Sequence, residues 1–141
     1  MAQASQDGTP TMYPYFGYRD AALALQWLAD AFGFEKTVEI HGPDGAILHA
    51  EMRFGAGAIL LGTVDDEQSG QVPKDTPAAH GIYVYVEDVD AHYERARAAG
   101  AHIVYGPEDT EFGTRRYRAL DPEGYEWSFG TYRPSTSAGS S

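Results

Sequence analysis

The feature that most constrains the fold of this chain is a pattern that occurs twice. An aromatic run, Tyr13-Pro14-Tyr15-Phe16-Gly17-Tyr18, suits a strand. Asp20 comes next as an N-cap, and Ala24, Trp27, Leu28 and Ala31 recur at helical spacing up to Gly33, a helix stop. Phe34 to Ile40 reads as a strand, and Gly42-Pro43-Asp44-Gly45 as a turn. Ile47–Phe54 and Ala58–Gly62 then read as two more strands. The same grammar returns at His80–Val86. Asp88 caps a second helix with Val89, Tyr93 and Ala96 inward and Gly100 as its stop. His102–Tyr105, a Gly106-Pro107 turn, Thr114–Leu120, the turn Asp121-Pro122-Glu123-Gly124 and Tyr125–Tyr132 complete it. An internal duplication of βαβββ predicts an α+β fold: two modules forming a concave mixed sheet, with the helices on its outer face.

The modules span residues 12–62 and 80–133, joined by a polar linker over 63–79. The polar ends, 1–11 and 134–141, read as disordered. With 43% apolar and 22% charged residues among 141, the composition is that of a globular chain. No cysteine is present, which excludes disulfides, thiolate metal sites and a cysteine nucleophile. A net charge of -11 with only two lysines, Lys36 and Lys74, excludes a nucleic-acid partner. No apolar run reaches the ~20 residues needed to cross a bilayer, and no secretory signal is visible, so neither a membrane partner nor export is expected and the cytoplasm is the default compartment. Ten tyrosines exceed what a minimal core requires and suit a binding surface.

The order and spacing of several short motifs resemble the vicinal-oxygen-chelate superfamily of glyoxalases and bleomycin-resistance proteins. The motifs are Tyr18-Arg19-Asp20 leading to Ala31-Phe32-Gly33-Phe34, Val86-Glu87-Asp88-Val89-Asp90 leading to Ala98-Ala99-Gly100-Ala101, and Asp121-Pro122-Glu123-Gly124-Tyr125. In metal-dependent members a divalent ion takes His, Gln or Glu ligands from the first and fourth strands of each module. The resemblance puts those positions at about Tyr13, Leu61, Gly81 and Ser128, none of which is a good ligand. His80 is one residue away, and one residue along a strand reverses the face. The resemblance therefore implies a chain with no metal and no other cofactor. Metal-free members include antibiotic-sequestering proteins, typically dimers, with an aromatic-lined groove, so a homodimer is expected.

Strand alternation from those positions turns Tyr15, Gly17, Tyr83 and Tyr85 toward the cavity with Tyr13. It puts Phe16, Tyr18, Ile82 and Val84 under the helices. Leu48, Ala50, Met52 and Phe54 form a helix-facing row, with His49, Glu51 and Arg53 opposite. Arg116, Arg118, Glu126 and Ser128 face the cavity, above Tyr117, Ala119, Trp127 and Phe129. The arginines suit a ligand carboxylate or phosphate; as a purely structural network they would pair with Glu51 and Glu126 instead. His49 and Glu51 have the chemistry of an acid–base pair. His41, His92 and His102 receive no role. The candidate ligand-binding set is thus Tyr13, Tyr15, His49, Glu51, Tyr83, Tyr85, Arg116, Arg118 and Ser128. The primary expectation is metal-independent binding of an aromatic or hydrophobic small molecule, such as an antibiotic. The alternatives are a lyase, isomerase or epimerase using a nonstandard metal or the His49/Glu51 pair, and an interaction module with no small-molecule role.

Overall fold

The structure is a computed structural model, and it describes residue 10 and residues 12–65 and 81–134. The chain divides into two compact units, residues 1–73 and 74–141. Most of the expected linker, residues 66–79, lies outside the described residues, as do His80 and nearly all of both expected disordered ends.

In the first unit, β1 (Tyr15–Tyr18), α1 (Ala21–Phe32), β2 (Glu35–His41), β3 (Ile47–Phe54) and β4 (Gly57–Thr63) build a four-stranded sheet of order β1-β4-β3-β2. In the second, β5 (Gly81–Tyr85), α2 (Val89–Ala98), β6 (His102–Asp109), β7 (Arg115–Leu120) and β8 (Glu126–Gly130) build a sheet of order β5-β8-β7-β6. In each, the first strand runs parallel to the fourth and the other pairs are antiparallel. These are the two expected βαβββ modules of an α+β fold.

Local chemistry explains the helix ends. The Leu23 N–H donates to Asp20 Oδ1 at 3.0 Å, and the Ala91 N–H donates to Asp88 Oδ1 at 3.0 Å. Each cap satisfies one of the orphan donors of a first helical turn. Gly33 closes α1 at φ 81°, a left-handed conformation that costs glycine nothing. The face of α1 that meets the sheet is Ala21, Ala24, Leu25, Leu28, Ala31 and Phe32. Leu25 takes the place expected for Trp27, which is only half-buried and packs edge-on against Phe32 at 4.9 Å.

The helix-facing layer of the second sheet is Tyr117, Ala119, Trp127 and Phe129, all fully buried, as alternation predicts. His92 on α2 lies in this layer. Its Nδ1 is 2.6 Å from the Tyr117 hydroxyl, and its ring is 4.2 Å from that of Phe129. Burial raises the pKa of the Tyr117 phenol far above its ordinary value, so it stays neutral.

Two irregularities depart from the sequence reading. Leu48 does not face α1 but is exposed, and Ile47 is buried instead. The pairs Ile40↔His49 and His41↔Ile47 leave Leu48 as an extra residue on β3, a bulge across which the alternation of faces is broken. Gly106-Pro107 is not a turn but lies within β6, where Tyr105↔Arg118 and Glu108↔Arg116 leave two residues opposite one. Proline has no N–H to donate, and a bulge on an edge strand needs none there. The hairpin turn comes later, at Thr110–Thr114, where Gly113 has φ 81°.

The duplication extends to one packing detail. A Cβ added at Gly62 would sit 2.9 Å from the Leu48 carbonyl oxygen and 2.9 Å from the Tyr15 hydroxyl. One added at Gly130 would sit 2.9 Å from the Arg115 carbonyl oxygen and 3.0 Å from the Tyr83 hydroxyl. Each tyrosine leans over a glycine on the parallel neighbouring strand. Gly130→Ala should cost about 1–3 kcal/mol through overpacking. Gly130→Ala combined with Tyr83→Phe should recover only part of it, because the carbonyl remains. Thermal melting of both variants checks this, and full recovery in the double variant would show that the hydroxyl alone sets the limit.

Candidate functional site

Each sheet has one face under its helix and one open face. In the second unit the open face bears a cavity of about 730 Å³. On β8 and β7 its lining alternates with the core residues beneath, Glu126 and Ser128 on β8 and Arg116 and Arg118 on β7, whereas β5 contributes Gly81, Ile82 and Tyr83 in succession, so Ile82, expected under the helix, also lines the cavity. Tyr105 on β6, Phe112 in the hairpin turn and Tyr132 after β8 complete an aromatic rim. Phe112 is 81% exposed, an unusual setting for an apolar ring.

The arginines are held within the sheet. Arg116 donates from Nε to Glu108 Oε1 at 3.1 Å, and its Nη2 is 3.0 Å from the same oxygen. Arg118 donates from Nε to Ser128 Oγ at 2.8 Å, and its Nη1 lies 3.6 Å from Glu126 Oε1. Both guanidinium groups sit against the Tyr105 ring, 5.4 and 5.2 Å from its centroid. Of the two carboxylates expected of a structural network, Glu126 is present beside Arg118. Glu108 takes the place of Glu51, which bonds to His49 in the first unit. Arg115 reaches away from this pair to Asp90 and Asp109, which raise its pKa still further.

Tyr83 donates its hydroxyl to the Tyr132 carbonyl oxygen at 2.5 Å, tying the segment after β8 to β5. Partial burial holds this phenol above its ordinary pKa, so it acts as a neutral donor. Tyr85 is half-buried, with the Arg133 guanidinium 4.1 Å from its ring centroid, and it is not among the residues that line the cavity. The remaining candidates belong to the first unit. Tyr13 and Tyr15 are exposed there, and His49 Nε2 lies 2.8 Å from Glu51 Oε2 on the open face. The geometry therefore groups Tyr83, Arg116, Arg118 and Ser128 around one cavity, and His49 with Glu51 in a separate pair.

Three lining aromatics had escaped the sequence reading. Tyr105 was hidden by the β6 bulge, and Tyr132 lies beyond a strand end. Phe112 did leave a signal: a lone aromatic in the otherwise polar run Thr110-Glu111-Phe112-Gly113-Thr114.

The sequence profile of the glyoxalase/bleomycin resistance protein/dioxygenase superfamily matches residues 15–129. The chain belongs to this superfamily. The uncharacterized protein Mb0911c of Mycobacterium bovis is 33% identical over 126 residues, covering 86% of this chain and 82% of its own. The uncharacterized protein Rv0887c of Mycobacterium tuberculosis is 33% identical over the same share of this chain and 74% of its own. Among solved structures, TioX from Micromonospora sp. ML1 superposes with a TM-score of 0.70 at 32% identity, covering 88% of this chain and 99% of that one. The fosfomycin resistance protein FosX of Listeria monocytogenes shares the fold at a TM-score of 0.65 and 12% identity, over 88% of this chain and 92% of its own.

Metal-dependent members of the superfamily pose a direct question of fit. The ladders Tyr15↔Leu60 and Tyr83↔Ser128 show that the partner of Ser128 in the duplication is Leu60. Leu61, expected at that position, is fully buried beneath the sheet and corresponds to Phe129. The correction leaves the chemistry unchanged, since tyrosine, leucine, glycine and serine offer neither imidazole nor carboxylate. Among the described residues no group of three His, Asp or Glu side chains could hold a metal ion. The residues of these positions do not fit the superfamily's divalent ion. Among the described residues, too, no helix is long and apolar enough to cross a membrane.

Proposed function

We propose that this chain is a metal-independent binding protein for an aromatic or hydrophobic small molecule, of the kind that sequesters an antibiotic, and that it works in the cytoplasm as a homodimer. The observation that carries this reading is the cavity on the open face of β5-β8-β7-β6, about 730 Å³ with an aromatic rim and a few polar groups at its floor. Small-molecule sites are typically of ~300–1,000 Å³ and have this make-up. Membership of a superfamily with bleomycin-resistance proteins supports it, as does the lack of fit to a catalytic metal. Native mass spectrometry of the chain mixed with bleomycin and a panel of planar aromatic antibiotics tests it. The expected result is a dimer that retains one of these compounds per chain and no metal. A bare monomer throughout the panel, or a stoichiometric Ni, Zn or Mn ion, overturns it.

One observation favours a second reading. The 2.8 Å contact between His49 and Glu51 has the geometry of an acid–base pair, which suits a lyase, isomerase or epimerase. Turnover of a small oxygenated substrate that is lost in Glu51→Gln and kept in Arg118→Gln would move the assignment to this pair.

A further inference from the structure

We infer that Arg118 anchors an anion subsite in this cavity, so that the ligand is an aromatic molecule carrying a carboxylate. The inference rests on the small-molecule reading and names the class of ligand. Arg118 is on β7, paired with Ser128 of β8 on one side and Tyr105 of β6 on the other. The Ser128 hydroxyl takes its Nε–H at 2.8 Å, and the Tyr105 ring supports the guanidinium. The nearest carboxylate oxygen, on Glu126, is at 3.6 Å, beyond hydrogen-bond distance. Among the described residues no hydrogen bond reaches either terminal nitrogen, although the side chain is only 35% exposed. The Nη2 donors of a fixed, partly desolvated fork are therefore open to a ligand, and Nη1 is held only by the long ion pair with Glu126.

Arg116 is different, because Glu108 already takes its Nε and Nη2. A planar guanidinium matches a carboxylate through two parallel hydrogen bonds, a geometry that Glu126 does not achieve. Glu126 instead offsets the charge from 3.6 Å without a hydrogen bond. Since Ser128 and Tyr105 fix the fork beforehand, little side-chain entropy is lost on binding. Tyr83, Phe112 and Tyr132 then offer surfaces for the aromatic part.

The probes are 1-naphthoate, its neutral isostere 1-naphthamide and the cation 1-naphthylmethylammonium, titrated at neutral pH and low salt by calorimetry. The native chain should bind naphthoate about tenfold more tightly than naphthamide, the usual advantage of a charge-assisted hydrogen bond. Arg118→Gln should bring naphthoate to the level of naphthamide and weaken naphthamide, whose amide oxygen accepts only one of these donors, far less. Arg97→Gln, which removes a charge from the exposed face of α2, should change neither. Should Arg118→Gln fail to fold, Arg118→Lys decides: keeping the charge without the fork, it should retain only part of the preference, and a preference undiminished from the native chain overturns the role of the fork. Equal affinity of the native chain for naphthoate and naphthamide overturns the anion subsite and leaves the cavity reading intact. Tighter binding of the ammonium probe overturns it in favour of Glu126. No binding of any probe at millimolar concentration overturns both readings.

Discussion

Truncating Trp127 to alanine will destabilise the chain by about 3–5 kcal/mol, the range for removing a fully buried large aromatic side chain. Trp127 is completely buried on β8, facing α2, and is the largest such side chain among the described residues. Two costs combine. The indole leaves a cavity that the rigid sheet closes only in part. Its Nε1–H, which donates to Asp121 Oδ2 at 3.1 Å, leaves one lobe of a buried carboxylate without that donor. Chemical denaturation read by far-UV circular dichroism measures the loss. The matching change at Trp27, half-buried on α1, should cost less. A larger loss at Trp27 than at Trp127 would show that the two anchors have been ranked in the wrong order.

Replacing Asp121 with alanine should cost about 3 kcal/mol or more, because several charge-assisted hydrogen bonds end on one side chain. Oδ1 accepts the backbone N–H groups of Glu123 and Tyr125 at 3.0 and 3.1 Å, and Oδ2 accepts the Trp127 indole. The carboxylate thus closes the β7–β8 turn and fastens it to the core. Asp121→Asn is the sharper test. If its remaining oxygen serves the turn, its amide nitrogen meets the indole N–H, donor against donor. Asparagine should therefore recover only part of the loss. Trp127→Phe in the asparagine background should cost less than in the native chain, since the conflicting donor is gone. Equal costs in the two backgrounds would show that the indole contact carries no energy.

Where hydrophobic alternation was unbroken, the fold was legible in the sequence. Tyr117, Ala119, Trp127 and Phe129 were placed correctly under α2, because β7 and β8 contain no bulge and every second residue keeps its face. Asp20 and Asp88 announced their helices through cap chemistry. The errors arose where a count of residues along a strand ceased to track its faces. Leu48 bulges out of β3, and Gly106-Pro107 was read as a turn because that dipeptide usually makes one, although here an edge strand absorbs it. Leu60, not Leu61, holds the position equivalent to Ser128, and only the ladder with β1 separates the two neighbours. The candidate site was less legible than the fold. Arg116, Arg118, Ser128 and Tyr83 were named from their strand faces. Tyr105, Phe112 and Tyr132 come from a bulged strand, a turn and a strand end, where periodicity carries no information.

The matching registers of the two sheets have a consequence for how this chain can change. Both copies retain a tyrosine leaning over a glycine, and between these landmarks they have diverged. His49, Glu51 and Leu60 stand in one copy where Arg116, Arg118 and Ser128 stand in the other. These positions point away from the helices, so exchanging them leaves the buried layers untouched. Duplication thereby gave the lineage two versions of one surface on a shared frame. Selection can alter the chemistry of either surface while the other keeps its own.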